Sequence, residues 1–237
     1  TANNDNSSFD DFNDENNHHE NDDTDEDTDN DTDDESDNDD DKQNKQIYII
    51  NEKKFPLPKN KLGDLPIILR NFLQFDTKLC RNKDTPNTLK FKYRCLLRHG
   101  VEKNKKQSFL ACIANVYSKQ NLNGISLTIQ EFKKILIEAI DIDNFISYNN
   151  GNLTSIFLSK NLGQDYFDNF VIEDKYKTAN FYKIIDNNTD NQINLFKKII
   201  NSYENFINYI NNESIYIDYT YLWDIICKPN PKLFIDG

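Results

Sequence analysis

CLLRHGVEKNKKQSFLACIANVYS, residues 95–118, is cationic in its first half and apolar in its second. The first half reads as a turn at His99-Gly100 followed by Lys103-Asn104-Lys105-Lys106. The second half predicts a helix of about Phe109–Tyr117, the most apolar helix candidate in the chain. Ser108 is placed to cap it, and Phe109, Cys112, Ile113 and Val116 form its expected buried stripe. Such a helix needs apolar partners, and the downstream sequence supplies them.

Thr128-Ile129-Gln130-Glu131 is a capping box opening a helix to about Ile140, with Ile129, Phe132, Ile135, Leu136, Ala139 and Ile140 at helical spacing. Thr189-Asp190-Asn191-Gln192 reads as a second box. It precedes a long helix to about Ile210, striped by Ile193, Phe196, Ile200, Tyr203, Phe206, Ile207 and Ile210. A short last helix at Tyr219–Cys227 carries the single tryptophan, Trp223. After the helix ending near Ile140 comes a short helix or turn, then Asn149-Asn150-Gly151-Asn152 and Leu153–Leu158, and residues 159–188 are ambiguous between states.

Upstream, Ile47–Ile50 is a short strand candidate and FPLPKNKLGDLP is a Pro/Gly-punctuated loop. Asp64 can cap a helix of about Leu65–Phe75 with Ile68, Phe72 and Leu73 on one side. Leu89–Leu97 alternates as a strand does, which would set Lys90, Lys92, Arg94 and the following Arg98 on the face opposite its apolar groups. The expected fold is α+β and mostly helical: one domain over 46–237 with a few short strands, after a disordered acidic low-complexity tail at 1–45. The chain starts without Met and stops just after Phe234-Ile235, so it reads as a fragment of a longer protein, truncated at the C-terminal end of its domain.

The net charge of −12 conceals two opposed parts. Residues 1–41 hold 20 Asp+Glu and no Lys or Arg, with Phe9 and Phe12 almost their only apolar groups. Such a segment cannot offset its ordering entropy. Residues 42–106 carry 17 Lys+Arg against 5 Asp+Glu, a net of +12. Thr24, Thr28, Thr32 and Ser36 each precede acids, which suits acidophilic kinases. An acidic tail beside a basic domain would compete with a polyanion for the same cations. The four cysteines, Cys80, Cys95, Cys112 and Cys227, lack a CxxC pair. They read as reduced thiols with no disulfide framework, Cys112 being a buried one. No apolar run approaches the roughly 18–20 residues of a membrane span, so no membrane partner is expected.

Catalytic and cofactor chemistry finds little foothold. No phosphate-binding glycine loop, HExxH or zinc-ligand spacing occurs, so no cofactor, metal site or catalytic residue is expected and the chain reads as a non-enzyme. Asp186, Asn188 and Asp190 echo half a calcium loop, but Asn191 stands where glycine is required and Lys197 where the bidentate Glu should be. His18-His19 reads as part of a solvated tail, and His99 as a cationic turn residue. The cationic set is the stronger signal. Lys90, Lys92, Arg94, Arg98, Lys103, Lys105 and Lys106 are the candidate nucleic-acid-binding residues, with Phe55, Phe91 and Tyr93 set among the cations of 53–106, and the expected partner is DNA through non-specific phosphate contacts.

Four blocks carry a family resemblance: PLPKNKLGDLPIILRNFL (Pro56–Leu73), Cys95–Ser118, NNGNLTSIF (Asn149–Phe157) and YIDYTYLWDIICKPNPKLF (Tyr216–Phe234). In this order they resemble a giant-virus protein family, from nucleocytoplasmic large DNA viruses, similar to the poxvirus early transcription factor large subunit. The resemblance implies a non-enzymatic viral transcription component that binds DNA. Its partners would be viral RNA polymerase and a helicase-like transcription factor subunit, in the host cytoplasm (the viral factory) or the virion. A second, looser likeness covers Gln107–Ile113, which is similar to the nucleophile segment of ovarian-tumour-type cysteine peptidases. Ser108 stands at the nucleophile position there and the preceding Asp-Gly is absent, which implies a catalytically degenerate OTU-like fold used as a protein-interaction module.

Overall fold

Three two-residue strands and ten helices make up the described part of the chain. The computed structural model describes residues 48–90 and 95–235. The architecture is α+β and mostly helical. Strands β1 (Ile49–Ile50), β2 (Leu62–Gly63) and β3 (Arg98–His99) form one sheet in that order. β1 runs parallel to β2 with Ile49 opposite Leu62, and β2 runs antiparallel to β3 with Leu62 opposite His99. Between β2 and β3 lie helix α1 (Ile67–Phe72) and a 3-10 turn at Thr77–Cys80.

Several local expectations change here. Asp64 does not cap α1: Pro66 holds the N-cap position, and the buried Asp64 carboxylate pairs with Arg81. The apolar side chains of α1 are exposed, Ile68 by 78% and Phe72 by 80%. The strand expected over Leu89–Leu97 is not formed in its described part. Leu89 makes only an isolated bridge with Arg81, the chain pairs regularly at Arg98–His99, and residues 91–94 lie outside the described residues.

Cys80 and Cys95 form a disulfide with their Cα atoms 5.7 Å apart, which corrects the expectation of four free thiols. The bridge at Arg81–Leu89 and the Lys90 N–H, which donates to the Cys80 carbonyl at 2.7 Å, fold the intervening loop back on itself. Sequence separation alone could not reveal that closure.

The helical body follows in chain order: α2 (Ser108–Asn121), α3 (Ile129–Ala139), α4 (Ile142–Ser147), a 3-10 turn at Tyr148–Gly151, α5 (Asn152–Ile156), α6 (Gln164–Asn169), α7 (Asp174–Lys177), α8 (Asn180–Ile184), α9 (Asp190–Asn211) and α10 (Trp223–Cys227). The turn before α5 puts Asn149, Asn150 and Gly151 at positive φ, a conformation that Asn and Gly tolerate best. The 22-residue α9 organises the packing. Its C-terminal half sets Phe206 and Ile210 against Phe132 and Leu136 of α3, Phe145 of α4 and Leu153 of α5. Phe145 and Phe157 both pack on Phe206, with ring centroids 5.4 and 4.9 Å away. Its N-terminal half, through Phe196, Ile199 and Ile200, buries Tyr176 and Ala179 in a second cluster. Each fully buried Phe or Ile contributes on the order of 1.5–3 kcal/mol of transfer free energy.

The capping box at Thr128 forms in full: Glu131 N–H donates to the Thr128 hydroxyl and the Glu131 carboxylate accepts the Thr128 N–H. The second box does not form. Thr189 is the N-cap residue without a side-chain cap, and Gln192 accepts instead from the Asp186 N–H. Asp186 thereby organises a turn, and among the described residues no group of His, Cys, Asp and Glu is arranged to hold a metal ion.

A candidate nucleic-acid-binding cleft

β3, the segment that follows it and the entry to α2 build one wall of a cleft. Gly100 follows β3 and exchanges two main-chain hydrogen bonds with the 58–61 turn: Asn60 N–H donates to the Gly100 carbonyl and Gly100 N–H to the Lys61 carbonyl, each 2.8 Å. A Cβ on Gly100 would sit 1.8 Å from the Pro58 carbonyl oxygen, so only glycine allows this approach. The clasp brings Phe55, Pro56 and Leu57 across from Val101, Lys103 and Lys105. Ser108 and Cys112 of α2 add to the lining, and the enclosed volume is about 680 Å³.

The cleft is apolar inside and cationic at its mouth. Leu57 is buried at its base, and Phe55 stands 83% exposed at its edge. Lys103 and Lys105 are exposed, with no hydrogen-bond or ion-pair partner among the described residues. The carboxylate in the lining, Glu102, is already engaged and accepts the Ile129 N–H at 2.8 Å, at the start of α3. His99, expected as a cationic turn residue, lies instead in β3 with its ring Nδ1 buried and unpartnered. Burial, and then the Lys119 ammonium, push its pKa below the ordinary 6.5, against a raising hydrogen bond at Gly100, so the ring is neutral at pH 7.

Helix α2 presents a different face from the one expected. Leu110, Ala111, Ala114 and Ser118 are buried, whereas Cys112 and Val116 are exposed. Cys112 is a free thiol lining the cleft, and desolvation pushes its pKa up. Ser108 is the first helical residue rather than the cap. Gln107 holds the N-cap position, and the Asn104 side chain accepts the N–H groups of Lys106 and Gln107, both at 2.9 Å.

The expected cationic set divides by what each side chain already does. Arg98 lines the cleft, but its guanidinium donates to the carbonyls of Asp64, Lys54, Asn51 and Glu52 and ties β3 to the 51–54 turn. Lys106 Nζ donates to the Ser214 carbonyl at 2.6 Å. Lys90 sits beside the disulfide through its own N–H. Lys92, Arg94 and the acidic tail at 1–45 lie outside the described residues. The cleft thus gathers Arg98, Lys103 and Lys105, and of these the two lysines keep their charges unspent. Phe55, expected as an aromatic among the cations, falls in the cleft wall, whereas Pro56 and Leu57 were legible only as part of a loop.

A second cavity of about 770 Å³ lies between α3, α4, α7 and α9. Three of its four carboxylates serve the fold. Asp141 caps α4 by accepting the Asn144 N–H, Asp143 accepts the N–H groups of Asn180 and Phe181, and Glu204 accepts the Tyr176 hydroxyl. Among the described residues no helix is long and apolar enough to cross a membrane. No family model, no curated protein and no solved structure matches this chain.

Proposed function

We propose that this chain is a non-enzymatic, nucleic-acid-associated subunit of the viral early-transcription-factor type, with a basic surface for DNA phosphates and an acidic regulatory tail. The observation that carries this reading is the pair of exposed ammoniums in the cleft lining, Lys103 and Lys105, which have no partner among the described residues and lie in a region of net charge +12. Phosphate contact by such groups releases counterions and makes binding fall steeply with salt. Viral RNA polymerase and a helicase-like subunit are the partners this reading names, in a viral factory or the virion. These rest on the four resembling blocks alone.

The test is binding of the chain to a short duplex across a salt series. Binding that weakens with salt, and whose log–log slope becomes shallower by about 2 in the Lys103→Glu/Lys105→Glu variant, supports the reading. Stronger binding after removal of residues 1–41 supports the regulatory tail. Absence of binding at low salt refutes the phosphate-contact role.

The alternative, a degenerate OTU-like interaction module, draws on one observation: Ser108 opens α2 on the wall of a cleft that also holds His99. That histidine precedes Ser108 in the chain instead of following it, and its Nδ1 has no partner.

A further inference from the structure

We infer that the cleft beneath Phe55 accepts an unpaired base, so that the chain binds single-stranded nucleic acid in preference to duplex. This rests on the phosphate-binding reading of Lys103 and Lys105 and specifies what those lysines hold in place. The cavity of about 680 Å³ falls in the size range of small-ligand pockets. Its walls are apolar, from Pro56, Leu57 and Val101, and its unspent charges are cationic. An occupant that satisfies both is an anion with a flat apolar body, which describes a nucleotide whose base is out of the stack.

Phe55 supplies what a phosphate-only surface lacks. Its ring is 83% exposed at the edge of the cleft, directly after Lys53-Lys54, where a base can stack on it while the backbone follows the lysines. A duplex would reach the ammoniums, but its bases are stacked and paired and could not enter. Stacking uses the face that every base has, so the preference is for strandedness and not for sequence. The carboxylate of the lining, Glu102, accepts the Ile129 N–H and keeps its negative charge, but the lining sets three cations, Arg98, Lys103 and Lys105, against it.

The experiment compares a short oligothymidylate with a duplex of equal length, using the intact chain, by fluorescence anisotropy at one salt concentration. The expected result is tighter binding of the single strand, lost by about 10-fold in Phe55→Ala with duplex binding unchanged. Cys112 and Cys227 give an independent readout, because both are exposed free thiols and only Cys112 lines the cleft. Oligothymidylate should slow maleimide alkylation of Cys112 and leave Cys227 unaffected. Equal binding of single strand and duplex, with Cys112 unprotected, overturns this inference and leaves the phosphate-binding reading standing. Failure to bind either nucleic acid overturns both, and assigns the cationic mouth to an acidic protein partner.

Discussion

The ammonium of Lys133 donates to the main-chain carbonyl of Asn212 at 3.1 Å, although Lys133 is only 1% exposed. Asn212 is the C-cap residue of α9, and its carbonyl also accepts from the side chain of Gln107 at 2.8 Å. Gln107 in turn stands just before α2 and reaches the Ile215 carbonyl, while the Ile217 N–H donates to the Lys106 carbonyl. One helix end is thus satisfied by side chains from two other elements, and the cationic segment before α2 is fixed to the 212–217 loop. A cation at a helix C-terminus also meets the negative end of its dipole.

Truncation and replacement of Lys133 therefore differ. Lys133→Ala removes a buried stem as well as the amine and is expected to cost about 2–4 kcal/mol in urea unfolding. Lys133→Met keeps the stem, and Gln107 still satisfies the Asn212 carbonyl, so its cost stays within about 1.5 kcal/mol. Equal losses in the two variants would show that the amine, not the packing, holds the node. The same lysine gives an alkaline signature. Burial lowers its pKa from 10.5, with Glu213 opposing. Between the folded value and 10.5 the unfolded chain binds more protons than the folded one, so this group makes stability rise with pH in that window. The parent should therefore gain stability relative to Lys133→Met as pH rises toward 10.5. Parallel urea midpoints would exclude a depressed lysine.

His99 acts in the same sense on the acid side. Burial and Lys119 hold its pKa below 6.5, so as pH falls from 6.5 toward the folded value the unfolded chain gains the proton first and stability is lost. His99→Gln, which cannot charge, should flatten that limb. An unchanged acid limb in the variant would assign the loss to the carboxylates instead.

Two threonines separate a cap that forms from one that does not. Thr128 accepts the Glu131 N–H at 3.2 Å, whereas Thr189 makes no cap bond to α9. Thr128→Ala should lose about 1 kcal/mol, and Thr189→Ala should stay within about 0.5 kcal/mol of the parent. The two sequence motifs look alike. What distinguishes them is Asp186, whose N–H takes the Gln192 side chain and whose carboxylate accepts the Thr189 hydroxyl.

This pattern runs through the whole chain. α3 and α9 were legible because their apolar residues recur on one face against polar surroundings, and the buried Phe132, Leu136, Phe196, Ile200, Phe206 and Ile210 all come from the expected stripes. α2 was legible as a helix but not in its orientation. Apolar residues run nearly all round it, so periodicity did not choose between the Leu110–Ala114 face that is buried and the Cys112–Val116 face that is not. The sheet was legible only at Ile49–Ile50, because two-residue strands carry no alternation and the pairing of Leu62 with His99 is a long-range event. The charge concentration pointed to the cleft region. Which cations remain available depends on carbonyls brought in by folding, as the four around Arg98 show.

The Cys80–Cys95 bridge closes a separation of 15 residues around Lys83 and Lys90. A loop of that length gives a chain-entropy stabilisation of about 3 kcal/mol. A thiol assay under native, non-reducing conditions should find two reactive groups, Cys112 and Cys227, and reductant should lower the unfolding free energy by about that amount. Release of four thiols without reductant would remove the bridge.

Arg98 and the Lys103/Lys105 pair test the division of labour at the cleft. Arg98→Ala strands the partly shielded carbonyls of Glu52 and Asp64, while those of Asn51 and Lys54 are exposed and pass to water, and the substitution should cost about 1–2 kcal/mol in thermal or urea unfolding. Lys103→Glu/Lys105→Glu touches no described partner, so stability should move by no more than about 0.5 kcal/mol while the salt slope of nucleic-acid binding falls. The opposite result, with Arg98→Ala neutral to stability and reducing only the salt slope, would make the guanidinium a phosphate ligand that gives up its carbonyls on binding.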